Sequence, residues 1–134
     1  MHTHPIRVYY EDTDLAGIVY YANYLKFIER ARTEAVTEAG IDQPRLKQDQ
    51  GIVFAVRRIE ADYLSPAKFS DDLTVTTEIT RLSGASIVMD QRVWRGEAEL
   101  FRAQVKLVAL TAEGRAARLP AEIRRKLAPL VAGD

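Results

Sequence analysis

Two carboxylates, Asp12 and Asp14, stand just ahead of Gly17, and the longest amphipathic stretch of the chain follows at once. The run from Val8 to Tyr24 reads as a strand that ends in the acidic pair, turns at the glycine and enters a helix. That order sets carboxylates close to a helix N-terminus, where backbone N–H groups and the positive end of the helix dipole gather. A carboxylate facing amide donors suits acyl transfer, with a base or nucleophile on one side and an oxyanion binder on the other. The chain has no cysteine and only two histidines, His2 and His4. These histidines lie in a stretch that reads as a frayed terminus. Thiolate chemistry, histidine triads and histidine- or cysteine-based metal sites are therefore not expected. The carboxylates are left to carry the chemistry, with neither metal nor cofactor.

The elements that must hold these groups can be read in order. Ile6 to Glu11 is rich in β-branched and aromatic residues and predicts a short strand. Asp12 to Gly17 predicts a loop, and Asn23 an N-cap. From Tyr24 to Ala39 the apolar residues Tyr24, Phe27, Ile28, Ala31, Ala35 and Ala39 recur at helical spacing, and Gly40 sits where a helix should stop. Ile41 to Gly51 is a polar connection with Pro44 and room for a short helix. The period then switches to two. Leu73, Val75, Thr77 and Ile79 form one face, Ile87, Met89, Gln91 and Val93 a second, and Phe101, Ala103, Val105, Leu107 and Ala109 a third. Ser83-Gly84 and Arg95-Gly96 make tight turns between them, so the sheet is mostly antiparallel. Val53 to Tyr63 is less regular, because Arg57 shares the parity of apolar neighbours. Either a β-bulge at Arg57-Arg58 resets the phase, or Arg57 faces a partner or a ligand. Pro120 opens a last helix carrying Ile123, Leu127 and Leu130.

This is an α+β pattern, one long helix against a five-stranded antiparallel sheet with a short C-terminal helix. At 134 residues the chain is expected to be one domain, residues 1–134, with a substantial core. Nineteen basic residues balance nineteen acidic ones, which leaves no basic footprint for nucleic acid. No apolar run is long enough to span a bilayer and no signal-peptide core is present, so a cytoplasmic location is expected.

The segment Tyr9-Tyr10-Glu11-Asp12-Thr13-Asp14-Leu15-Ala16-Gly17-Ile18-Val19-Tyr20-Tyr21-Ala22-Asn23-Tyr24, followed by Phe27-Ile28-Glu29-Arg30-Ala31-Arg32, resembles the hotdog-fold acyl-CoA thioesterases. It is most similar to the 4-hydroxybenzoyl-CoA thioesterase group and, within it, to the YbgC-type branch associated with Tol-Pal genes. Phe54-Ala55-Val56-Arg57-Arg58 and Tyr63-Leu64-Ser65-Pro66-Ala67 resemble that branch too. The resemblance implies a sheet curved around the long helix and a hydrolase acting on acyl-CoA, with coenzyme A as part of the substrate. It implies that Asp14 is the catalytic carboxylate, as nucleophile or as general base toward water. It also implies that the Tyr21 backbone N–H polarises the thioester carbonyl. The branch usually has histidine where Tyr21 stands, and tyrosine is the habit of the hydroxybenzoyl group. A backbone role survives that change.

A thioester has a stable leaving thiolate, so one carboxylate and one or two amide donors suffice without a triad. Asp12 reads as the residue that orients the loop, and Tyr10, Tyr20 and Tyr24 as core or acyl-pocket walls. Gly17 and Val19 belong with the substrate-binding residues, as do Phe54 and Val56 as acyl-channel candidates and Arg57 as the ligand-facing alternative to the bulge. Arg81, Ser83 and Ser86 form a polar hairpin that suits the phosphates of coenzyme A or is an ordinary solvated turn. A layer with bare sheet edges predicts a homodimer, or a dimer of dimers, with the site at the subunit interface. The reading from another class is a non-catalytic acyl-CoA-binding or Tol-Pal-associated scaffold. A hotdog dehydratase needs an internal histidine, which this chain lacks.

Overall fold

The computed structural model describes residues 1–133. Its elements in chain order are β1 (His2–Arg7), α1 (Asn23–Glu38), α2 (Gln43–Gln50), β2 (Ile52–Tyr63), β3 (Asp72–Leu82), β4 (Ser86–Arg95), β5 (Ala98–Thr111) and α3 (Ala121–Leu127). The strands form one antiparallel sheet in the order β1-β3-β4-β5-β2. The sheet is open, with β1 at one edge and β2 at the other. This is the hotdog arrangement of α+β elements expected from the sequence.

The period-two faces assign the core correctly. Leu73, Val75 and Ile79 of β3, Ile87, Met89 and Val93 of β4, and Phe101, Val105 and Ala109 of β5 are all buried. α1 lies over β1, β3 and β4. It presents Tyr24, Phe27, Ile28, Ala31, Ala35 and Val36 to them. Its small alanines let the helix settle close to the sheet, and truncating Phe27 there would cost about 3–5 kcal/mol. The helix also buries Arg32, whose guanidinium donates to Gln91 at 3.0 Å. Gln91 in turn donates to the Ile28 carbonyl and to Thr77 Oγ1, both at 2.9 Å. Burial pulls the Arg32 pKa down, against the opposing pull of Glu29.

Several boundaries differ from the sequence reading, each for a local reason. β1 covers His2–Arg7 instead of Ile6 to Glu11, because all six of its residues find partners on β3, from Thr77 to Asp72. His2 and His4 are therefore paired in a strand and not frayed. Tyr10–Asp12 is a turn of 3₁₀ helix, wound by the Asp12 carboxylate on the Tyr9 N–H at 2.8 Å. Ala22, and not Asn23, is the N-cap of α1. The polar connection does hold a helix, α2, which Asp42 caps on the Arg45 N–H and which Gly51 ends. The register of β2 against β5 shifts between Val56 and Arg58, so the bulge reading holds and Arg57 is exposed.

Candidate active site

Asp14 and the first turn of α1 meet at one end of the sheet, and Asp12 builds the meeting point. Asp12 is 5% exposed, and its carboxylate accepts from the Tyr9 N–H and from Asn23 Nδ2 at 3.0 Å. Its carbonyl accepts from the Tyr20 N–H at 2.9 Å. One aspartate thus ties the segment after β1, the acidic loop and the helix start together. This fits the loop-orienting reading of Asp12. Both of its carboxylate oxygens are occupied by protein donors.

Asp14 is different. It is exposed, and among the described residues its carboxylate accepts only from the Ala16 N–H, to Oδ1 at 2.9 Å. Oδ2 has no partner among the described residues. The loop closes by Asp14 N–H to Ile18 carbonyl at 2.9 Å and Gly17 N–H to Asp14 carbonyl at 3.0 Å. Gly17 sits at φ +79°, which the return of the chain requires and which favours glycine. The bridge of Ile18 to Lys68 and the bond of the Val19 N–H to the Ala67 carbonyl then pin this loop to the segment between β2 and β3.

At the helix start, Tyr20 to Asn23 is a turn, with the Asn23 N–H on the Tyr20 carbonyl at 2.8 Å. A carbonyl held that way turns the N–H of the same trans peptide, that of Tyr21, to the other side. Among the described residues nothing accepts from the Tyr21 N–H. It lies one residue ahead of the N-cap Ala22, next to the orphan donors and the positive end of a sixteen-residue helix.

Asp14 and Tyr21 line the same cleft, of about 410 Å³, with Ile18, Val19, Tyr20, Tyr24, Tyr63 and the Leu64-Ser65-Pro66 turn. Its walls are aromatic. Tyr24 stacks on Phe101 at 5.0 Å between ring centroids, and Tyr63 meets both edge-on. The Tyr24 hydroxyl accepts from the Ala67 N–H at 3.0 Å. Arg95 donates to Asp71 at 2.9 Å and to the Pro66 carbonyl at 3.3 Å, fixing the opposite wall. Burial pushes the phenols of Tyr24 and Tyr63 up. The neighbouring Tyr21 does the same to Tyr20. All three stay protonated hydroxyls through the neutral range.

Of the residues singled out from sequence, Asp14, Tyr21, Val19 and the Gly17 turn come together here. Phe54, Val56 and Arg57 do not. Phe54 pairs with Ala109 at the far end of β2, about 30 Å along an extended strand from Tyr63. Arg81, Ser83 and Ser86 also lie at that far end of the sheet. There Ser83 and Ser86 bond each other, with Oγ atoms 2.7 Å apart, and close their own hairpin. His2 contacts Glu38 at the C-terminal end of α1, about 24 Å along the helix from Tyr21. Sequence reasoning did not place Tyr63, Leu64 and Ser65 in the cleft. Tyr63 shares its parity with Ala61 and so reads as core, and the signal that was available is Pro66, which ends β2 just past it.

Residues 16–102 match the family model described as the thioesterase superfamily, a span that opens just after Asp14. The chain is 43% identical over 106 residues to the acyl-CoA thioesterase YbgC of Haemophilus influenzae, covering 79% of this chain and 78% of that one. Among solved structures, a probable thioesterase from Bartonella henselae superposes with a TM-score of 0.84 at 38% identity, over 89% of this chain and 98% of that one. A 4-hydroxybenzoyl-CoA thioesterase, solved as an Asp-to-Asn mutant complexed with 4-hydroxybenzoyl-CoA, superposes with a TM-score of 0.87 at 25% identity, over 93% of this chain and 96% of that one.

Proposed function

The chain belongs to the thioesterase superfamily as an acyl-CoA thioesterase of the YbgC type, and we propose that Asp14 and the Tyr21 backbone amide are its reacting pair. The observation that carries this reading is the shared cleft. Asp14, exposed and with no protein partner for Oδ2 among the described residues, and Tyr21, whose N–H has no acceptor among them, line one apolar hollow. The acyl group lies among Tyr20, Tyr21, Tyr24 and Tyr63, its carbonyl oxygen on the Tyr21 N–H. As the carbonyl carbon becomes tetrahedral, its oxygen gains charge and the bond to that N–H strengthens, typically worth about 3–4 kcal/mol.

Asp14 acts in one of two balanced ways. A carboxylate oxygen attacks the carbonyl carbon, coenzyme A leaves as its thiolate, and water cleaves the mixed anhydride. Alternatively, Asp14 takes a proton from a water that attacks directly, and the thiolate leaves with the acid as co-product. Coenzyme A is substrate here and no cofactor is called for. A coenzyme A thioester as substrate supports the reading of a cytoplasmic enzyme.

The subunit arrangement follows from the sheet edges. β1 is short and carries Pro5, which has no N–H to offer a neighbouring strand. β2 is a long edge without proline, with Val56 46% and Tyr63 49% exposed. We propose that two copies pair antiparallel along β2. Pairing of that kind sets the start of one strand against the end of the other. It brings Phe54 and Val56 of the partner subunit toward the Tyr63 end of this one, so the residues that one chain keeps apart converge on the cleft.

The test is free-thiol release from a panel of short, long and aromatic acyl-CoAs, with mass measured in solution. The wild type is expected to hydrolyse at least one class as a dimer or larger assembly. Full activity in Asp14→Asn overturns the catalytic assignment, and a fully active monomer overturns the shared site.

A further inference from the structure

The Tyr21 N–H is useful only if its peptide is held still, and one hydrogen bond across the cleft does part of that holding. The Tyr63 hydroxyl, at the end of β2, donates to the Tyr21 carbonyl at 2.9 Å. The two rings also meet edge-on, with centroids 6.2 Å apart. The carbonyl in question sits at the junction of turn and helix. In a helix that began one residue earlier it would accept from the Leu25 N–H, four residues on. In this chain the Leu25 N–H goes to the Ala22 carbonyl at 3.2 Å instead. The Tyr63 hydroxyl therefore occupies the acceptor that would let the helix grow backward over Tyr21.

We infer that Tyr63 is a positioning residue for the oxyanion donor: by holding the Tyr21 carbonyl it keeps Tyr21 in the turn, with its N–H aimed into the cleft. The two peptides that flank Tyr21 are then each fixed by a carbonyl bond, one from the Asn23 N–H and one from the Tyr63 hydroxyl. Losing the second leaves the shared α-carbon free to rotate, and the donor wanders from the line to the thioester oxygen. The hydroxyl is already committed to a carbonyl, so its role runs through the amide and not through direct contact with the acyl group. The elevated phenol keeps its proton through the neutral range, so the bond persists wherever the enzyme works. Because β2 is also the proposed seam between subunits, the same side chain joins the edge that pairs to the peptide that reacts. The inference rests on the reading of Tyr21 as the oxyanion donor.

The experiment separates the two. Tyr63→Phe removes one oxygen and keeps the ring. With whichever of butyryl-CoA, palmitoyl-CoA and benzoyl-CoA the wild type hydrolyses fastest, its kcat is expected to fall about tenfold while KM stays within about twofold. Tyr63→Leu also removes the wall and is expected to raise KM as well. The same substrate, labelled with ¹³C at its carbonyl and bound to Asp14→Asn, is then read by infrared difference spectroscopy. A hydrogen bond to the carbonyl lowers its stretching frequency. The expected result is a lowered frequency in Asp14→Asn that moves back toward the free value in Asp14→Asn/Tyr63→Phe. An equal shift in both, with kcat of Tyr63→Phe within twofold of wild type, overturns the role of Tyr63 alone. Absence of any shift in Asp14→Asn overturns the underlying Tyr21 reading instead, and absence of hydrolysis of all three substrates by the wild type the acyl-CoA reading.

Discussion

The two ends of α1 are finished in opposite ways. At the C-terminal end, where a helix leaves carbonyls without partners, three of the last four are taken: Ala35 by the Ala39 N–H, Val36 by Ile41 and Thr37 by Gly40. Gly40 turns the chain away at φ +93°, a conformation that suits glycine. His2 and Glu38 meet beside it. At the N-terminal end Ala22 caps with no side-chain bond, the Tyr21 N–H has no acceptor among the described residues, and Asp14 stands exposed close by. Exposed Tyr10, Leu15, Tyr20, Tyr21, Tyr63 and Phe69 surround this end. A folded chain satisfies its polar groups where nothing else is asked of them. The end left incomplete is the end to which the proposed function assigns the substrate and, on the proposed seam, a second subunit.

Replacing the donor itself strains this comparison most. Tyr21→Pro deletes the N–H at a turn position that tolerates proline. It is expected to lower kcat by about 10²–10³. Tyr21→Ala keeps the N–H and is expected to hold kcat within about fivefold while KM rises, and steady-state kinetics on one acyl-CoA reads both. An equal loss in the two variants would assign the role to the ring. Asp12→Ala comes next, since it strips the acceptor from the Tyr9 N–H and the Asn23 amide. The expected cost is about 2–3 kcal/mol, a fall in Tm of roughly 6–12 °C by calorimetry. Gly17→Ala meets no neighbour but must adopt a left-handed φ, for about 1 kcal/mol.

Acid titration offers a smaller effect in the opposite wall. Burial favours the neutral form of Asp71, but the Lys68 N–H and the Arg95 guanidinium outweigh it and hold its carboxyl below the ordinary value. A depressed carboxyl stabilises the fold above its unfolded pKa, near 4, and that share is lost as pH falls through the folded value. Asp71→Asn is therefore expected to flatten the acid limb of the stability curve below about pH 4 in urea melts at stepped pH. Smallest is the far hairpin, whose serines satisfy each other. Ser83→Ala and Arg81→Ala are each expected to leave KM for acyl-CoA within about twofold. A tenfold rise in either would turn that hairpin into a coenzyme A contact.

Most of the fold was legible because it follows from periodicity. The three clean alternating strands have one solvated and one buried face, and period two reports that difference directly. β1 was misread because its outer half is specified by pairing with β3, which the local composition of His2 to Pro5 does not announce. Asn23 was misread as a cap because its amide is taken by Asp12, eleven residues back. That Asp14 and Tyr21 share one cleft could be read because they lie in one continuous segment. Tyr63 and the Leu64-Ser65-Pro66 wall could not, since they reach the cleft through the sheet. Arg32 and Gln91 illustrate the same limit, a buried polar pair joined only by the packing of α1 on β4.

Single-turnover hydrolysis by Asp14→Asn, an isosteric change at an exposed carboxylate, tests the role of Asp14 most directly. With excess enzyme and an acyl-CoA that the wild type hydrolyses, the rate of free-thiol release is expected to fall by about 10³ or more, with acyl-CoA affinity and Tm unchanged. A single-turnover rate within twofold of the wild type would contradict it.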